Sequence, residues 1–425
     1  MRKNIKSLKL KNYDIILENY FYFFILITPI LTIYDDTQAV IRVLVLQIIF
    51  ISMLFFKKDF IKLTKQLFNN NKVTVIILAI FLISTTISFI ISPAKVEHWG
   101  FNFVRQRYLE LIVYFFFFIF IFIYLSKTII NFNKFITVII CSSLIFVNFV
   151  YIQGFFKSGS EIYKLLSLYS EIRGPGLVLT SFVSCFVGYL TLSNNNINYK
   201  DILILSLLLS LVYYFGGRGN LLSIFIICVL SMIYKKIINQ KYYSLFLTFL
   251  ISFGLAWIIL KTIVFLYSLG TDNIQGTYSL IRIEKKDFYD RIEIWIASFN
   301  LLKDSLLFGY GPNAFLVLQS NNLLTIDGWW IKSNMFPTHT HNFIFQFLVE
   351  WGLIGTLLIL FLMTKNMLKG IIILIKKQNK YLIIPVLNVL ALTAHGLVDG
   401  TYIHPVTVTF LLISNAMIAA NVKFK

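Results

Sequence analysis

The chain has 425 residues, 58% hydrophobic, 17% aromatic and 13% charged, with a mean hydropathy of +0.79. That excludes an ordinary soluble enzyme and describes a polytopic membrane protein, for which the bilayer is the solvent. The net charge of +19 does not mark a nucleic-acid binder, because the basic residues fall between apolar runs and form no continuous face.

A spanning helix needs about 20 apolar residues. Twelve stretches are candidates: 15–33, 38–56, 73–92, 109–126, 135–154, 175–193, 202–215, 220–234, 243–268, 342–364, 382–398 and 403–421. The seventh is short, and the tenth can extend through Ile371–Ile375. The basic start, Met1 to Tyr13, leads into a run too long for a signal-peptide core, so no cleavable signal is expected. Cys141, Cys185 and Cys228 all lie inside apolar runs and read as small core residues with no disulfide framework. No internal repeat is evident. The expected fold is therefore all-α, about twelve transmembrane helices in one integral domain over 1–425, with one large outer loop over 269–340.

Lysine and arginine set the orientation. With the N-terminus in the cytoplasm, more than half of the 38 basic residues fall on cytoplasmic segments, and twelve spans return the C-terminus there. The two sides also differ in kind. Of eight arginines only Arg2 is cytoplasmic; Arg42, Arg105, Arg107, Arg173, Arg218, Arg282 and Arg291 sit on or near the outer side. Any cation serves topology, whereas the planar guanidinium fork suits phosphate and carboxylate. Structural ion pairs with the outer acids are the plain alternative for any one of them. As a group they point to an anionic ligand at the outer face.

Three settings stand out. Arg173, in SEIRGPG, precedes the sixth span, where a glycine-rich turn into a helix N-terminus suits an anion. Arg218, in FGGRGN, joins two spans so tightly that it must lie at the membrane edge or in a cavity, a costly place for a charge without a partner. Arg291 opens RIEIWIASFNLLKDSLLFGYG. There Ile292, Trp295, Ile296, Phe299 and Leu302 recur at helical spacing, which predicts an amphipathic helix on the membrane face ending near Gly309. Arg291 and Trp295 share one side of it. The surrounding loop also carries Tyr310, Trp329, Trp330 and Phe336, aromatics that suit sugar stacking and lipid headgroups alike.

The last element is THTHNFIFQFLVEWGLIG, residues 338–355. His339, His341 and Asn342 stand at the mouth of the tenth span. Polar groups there are costly and so are functional candidates, interfacial anchoring being the alternative.

Together, RGPG, GGRGNLL, RIEIW followed by FGYGPNAF, and THTHNFIFQFLVEWGLIG resemble the O-antigen ligase/polymerase superfamily: O-antigen ligases, O-antigen polymerases and protein O-oligosaccharyltransferases. The resemblance covers about 170–365. Gly217 stands before Arg218 where the family often has a hydroxyl residue, which puts an accessory contact in doubt and leaves the arginine. The resemblance implies a bacterial inner-membrane glycosyltransferase active on the periplasmic face. Its donor would be a glycan on undecaprenyl diphosphate and its acceptor a hydroxyl, on lipid A–core for a ligase and on a glycan for a polymerase. It implies no cofactor and no metal, with inversion at the anomeric carbon. His341 would be the general base, kept neutral by the positive end of the tenth helix. Arg173, Arg218 and Arg291 would bind the diphosphate.

Glu350 lies too far around the helix to orient His341, so packing is an equal reading. His395 and Asp399, four apart at the outer end of span eleven, either pair with each other or touch the acceptor, a structural role being favoured. His339, Asn342 and Trp295 are further candidates. A zinc site would take about three protein ligands, and His339 and His341 have no third nearby in the chain. Ligase is the favoured reading, with polymerase the alternative. A lipid-linked-sugar flippase is a more distant rival, disfavoured because no two-half repeat is apparent and because the polar residues gather at one face.

Overall fold

A computed structural model of the chain describes residues 2–32, 36–56, 60–62, 64–65, 71–94, 103–156, 173–193, 198–215, 218–268, 285–320, 339–400, 402 and 404–425. In chain order the helices are α1 (Arg2–Ile27), α2 (Asp36–Phe55), α3 (Lys72–Ile91), α4 (Phe103–Leu125), α5 (Phe132–Phe156), α6 (Arg173–Leu192), α7 (Tyr199–Phe215), α8 (Arg218–Ile237), α9 (Tyr243–Ser268), α10 (Lys285–Leu302), α11 (Ala314–Ser320), α12 (Phe343–Ile375), α13 (Ile383–Gly396) and α14 (Pro405–Ala420). Each of the twelve apolar stretches read from the sequence falls on one of α1–α9 or α12–α14. Six helices, α3, α4, α5, α8, α9 and α12, are long and apolar enough to cross a membrane, and α2, α6, α13 and α14 supply shorter apolar helices.

Helix is what this composition dictates. In lipid every backbone polar group must be satisfied within the segment. The hydroxyls inside the helices follow the same rule. Thr28, Thr191, Ser231 and Thr409 each donate to the carbonyl one turn back, at 2.6–2.7 Å. The most enclosed helix is α6, whose Val178, Leu179, Phe182 and Val183 are fully or almost fully buried among α5, α7, α8 and α13. Asn388 of α13 ties this centre together: it accepts from Ser184 of α6 at 2.8 Å and donates to Ser414 of α14 at 2.8 Å.

The two ends of the bundle differ. At one end β1 (Ile129–Ile130) pairs in parallel with β2 (Lys423–Phe424), and Asn379 donates to Val422 at 2.8 Å. These segments are the ones assigned to the cytoplasm by the lysine count. At the opposite end gather Gly176, Gly219, Gly309, Gly311, His339, His341, His395 and Asp399, all assigned to the outer face.

The described part of the large loop docks there through a second small core. Ile294 and Ala297 of α10 and Ala314, Phe315, Val317 and Leu318 of α11 pack with Ala94, Val104 and Val349. The amphipathic helix thus exists over Lys285–Leu302, and it ends at Leu302 rather than near Gly309. Its protein-facing stripe is Ile294, Ala297 and Ser298, while Ile296 and Phe299, read as one apolar face, remain more than half exposed. A helix wedged between protein and lipid carries two apolar stripes, and periodicity alone reports the larger side chains.

Candidate functional site

The site is built on a break in α12. Gly352 adopts φ 64° and ψ −170° inside this 33-residue helix, which frees backbone groups on either side. The FGYG loop satisfies them. Tyr310 N–H donates to Val349 O at 2.8 Å and Gly311 N–H to Glu350 O at 2.9 Å, while Leu353 N–H donates to Leu306 O at 2.8 Å and Ile354 N–H to Leu307 O at 3.2 Å. Ser88 of α3 adds a 2.7 Å bond to Glu350 O. The approach is backbone against backbone. A Cβ on Gly352 would stand 2.3 Å from Leu307 O, and one on Gly309 would stand 2.5 Å from Gly352 N. This explains why the G-x-G-P turn and the E-x-G of the tenth span belong together.

The break sets the level of the segment that opens α12. Asn342 is the N-cap: its Oδ1 accepts from Ile344 N–H at 2.9 Å and Phe345 N–H at 3.4 Å, and its Nδ2 donates to Leu397 O at 3.0 Å. His341, just before it, sits in the left-handed region at φ 54°, a conformation that costs a non-glycine residue about 1–2 kcal/mol and so must be held by its surroundings. Thr340, with no exposed surface, does much of the holding. Its carbonyl accepts from Trp295 Nε1 at 3.0 Å, its amide donates to Gln346 Oε1 at 2.9 Å, and its hydroxyl donates to Asn342 O at 2.7 Å. Trp295 also stacks on Phe345, with ring centroids 5.8 Å apart.

Both histidines turn to one carboxylate. His341 Nδ1 lies 3.2 Å and His339 Nε2 3.5 Å from Asp399 Oδ1, and the two rings are 4.1 Å apart. All three side chains are buried. Gly400 N–H donates to the same oxygen at 2.9 Å. Asp399 also stays beside His395: its N–H donates to His395 O at 3.0 Å, and its charge acts on the His395 ring. His395 itself meets Thr180 Oγ1 at 3.0 Å. The fold also overturns the reason given for the absence of a metal, because Asp399 is a third candidate ligand from far along the chain. Ligand atoms of His339, His341 and Asp399 all lie within 4.8 Å of one another.

The glycine-rich arginine motifs converge on the same end. Gly219 packs so closely on His395 that a Cβ there would stand 2.5 Å from its Cδ2, and a Cβ on Gly176 would stand 2.6 Å from Asn220 Nδ2. Arg173 is the first residue of α6 and Arg218 the first of α8, and their side chains lie outside the described residues. Arg291, one turn before Trp295 on α10, is half-buried and close enough to His395 to act on it electrostatically. Arg107 takes the plain alternative, a buried pair with Glu110 at 2.6 Å, and it donates to Tyr402 O at 2.5 Å. Glu350 is buried and does not touch His341; it accepts from Gln346 and lies near Arg107. His404 stands at the N-cap position of α14 without a side-chain capping bond and is buried.

Asp399 as the shared partner and Gln346 as the anchor of Thr340 were not legible as such in the sequence. Asp399 carried only its acidic character near an outer helix end. Gln346, a polar residue inside an apolar run, carried the signal that intramembrane polar groups have partners.

This is a polytopic helical membrane protein with a buried polar site at one end of its bundle, assembled from a docked loop helix and three helix termini. Residues 203–360 match the family model for O-antigen ligase, a stretch that contains the GGRGN, RIEIW, FGYG and THTHN segments. Over that stretch the chain is similar to O-antigen ligases. No curated protein matches the chain.

Proposed function

We propose that the protein is a metal-independent, inverting glycosyltransferase. It moves a glycan from undecaprenyl diphosphate to an acceptor hydroxyl on the periplasmic face of a bacterial inner membrane, with both termini cytoplasmic. The observation that carries this reading is the buried His341–Asp399 contact of 3.2 Å beside the helix bearing Arg291. The acceptor oxygen attacks the anomeric carbon from the face opposite the diphosphate, and its proton passes to His341 Nε2. The anomeric C–O bond breaks, and its electron pair leaves with the diphosphate. Asp399 holds the imidazole by Nδ1 and stabilises the cation that forms. Arg173, Arg218 and Arg291 take up the charge on the leaving group, where fixed cations serve the purpose of a divalent metal.

His341→Ala tests the assignment: transfer falls by about 10²–10⁴-fold, the range of general-base catalysis, while donor binding is retained. Near-normal turnover would refute it. Ligase is favoured over polymerase, with lipid A–core as acceptor. In a deletion strain, core without O-chains supports the ligase; core bearing a single repeat would make it the polymerase.

A further inference from the structure

The catalytic reading leaves a buried polar chain unused. It runs from the break in α12 to the residue between the two histidines. Glu350 is at its base, its carbonyl held by Ser88 and Gly311 and its carboxylate close to Arg107. Gln346, one helical turn earlier, donates from Nε2 to Glu350 Oε1 and accepts the Thr340 amide at Oε1, 2.9 Å away. An amide has one acceptor end and one donor end. With a carboxylate fixed on one side, only the carbonyl can face Thr340.

We propose that Gln346 and Glu350 are positioning residues for His341. They set the direction of the His339–Thr340 peptide, whose N–H donates to Gln346, and so help hold His341 in the left-handed turn that brings it to Asp399. Three facts support this together. The turn is intrinsically unfavourable at φ 54° and needs external restraint. Thr340 is wholly buried, so its amide has no water to turn to. The two clamps come from different elements, Trp295 of α10 on the carbonyl and Gln346 of α12 on the amide, which fixes the two peptide units on either side of Thr340. The chain also connects the FGYG loop to the histidines: Gly311 meets the same residue, Glu350, that orients Gln346.

The proposal rests on His341 as the base, and its test separates the two. Gln346→Met keeps length and removes both hydrogen bonds, and Glu350→Gln is a milder second variant that retains one acceptor. Each purified protein is treated with diethyl pyrocarbonate, and modification of His341 is read by fragment-ion mass spectrometry beside kcat and KM for transfer. The expected result for Gln346→Met is faster modification of His341 and a fall in kcat of about tenfold to a hundredfold, the scale of a misplaced catalytic group, with KM little changed. Glu350→Gln falls between it and wild type in both readouts. Unchanged modification with unchanged kcat in both variants would overturn the positioning role. Faster modification with unchanged kcat would uphold the positioning role and overturn the base.

Discussion

Gly352→Ala is the sharpest test of how the site is held. The residue has φ 64°, and an added Cβ would fall 2.3 Å from Leu307 O and 2.4 Å from Leu307 C, both backbone atoms that cannot swing aside. The backbone conformation, with ψ −170°, lies in a region essentially restricted to glycine and costs another residue about 1–3 kcal/mol. Moving the loop away forfeits the four bonds joining residues 306–311 to 349–354, each contributing about 0.5–1.5 kcal/mol. The expected loss is on the order of 3–9 kcal/mol, a large part of the about 5–15 kcal/mol that holds a typical fold. The assay is the thermal unfolding midpoint of the detergent-purified protein, with transfer measured in parallel. Gly254→Ala is the control, since a Cβ there meets nothing within 4 Å and alanine favours a helix by about 1 kcal/mol. Gly352→Ala should melt well below wild type and lose activity, while Gly254→Ala matches wild type or exceeds it. Equal midpoints for the two variants would refute the account of the α12 break.

Arg218→Lys keeps the charge and removes the fork, so it should lose about tenfold or more in transfer if the diphosphate is bound bidentately; full activity with lysine would show that a point charge suffices. A cysteine at Asn321 should react with an impermeant thiol reagent from outside the cell and one at Asn239 should not. The reverse pattern would place the histidines and arginines in the cytoplasm.

The helical plan was legible because lipid imposes it: each long apolar run had to become a helix, and polar or glycine-bearing breaks separate the runs. The residues of THTHN were legible for the same reason, polar groups at a costly depth. What could not be read is non-local or depends on the backbone. Nothing in the spacing of His341 and Asp399, 58 residues apart, announces that they meet. Nothing in WGLIG says that Gly352 leaves the helix; the FGYG loop, docking against it, makes the break affordable. The buried stripe of α10, Ile294 and Ala297, was hidden by the bulkier Ile296 and Phe299, which stay exposed. The third candidate metal ligand was missed because the search ran along the chain and not across the fold.

The most direct measurement is transfer by the purified protein alone, given a defined lipid-diphosphate glycan and a hydroxyl acceptor, in excess EDTA. The account predicts an inverted glycosidic product in wild type, undiminished by chelator, and none above background in His341→Ala. No transfer from the purified protein would contradict the enzyme assignment. Activity abolished by EDTA and restored by one divalent ion would contradict the metal-free mechanism and make His339, His341 and Asp399 its ligands.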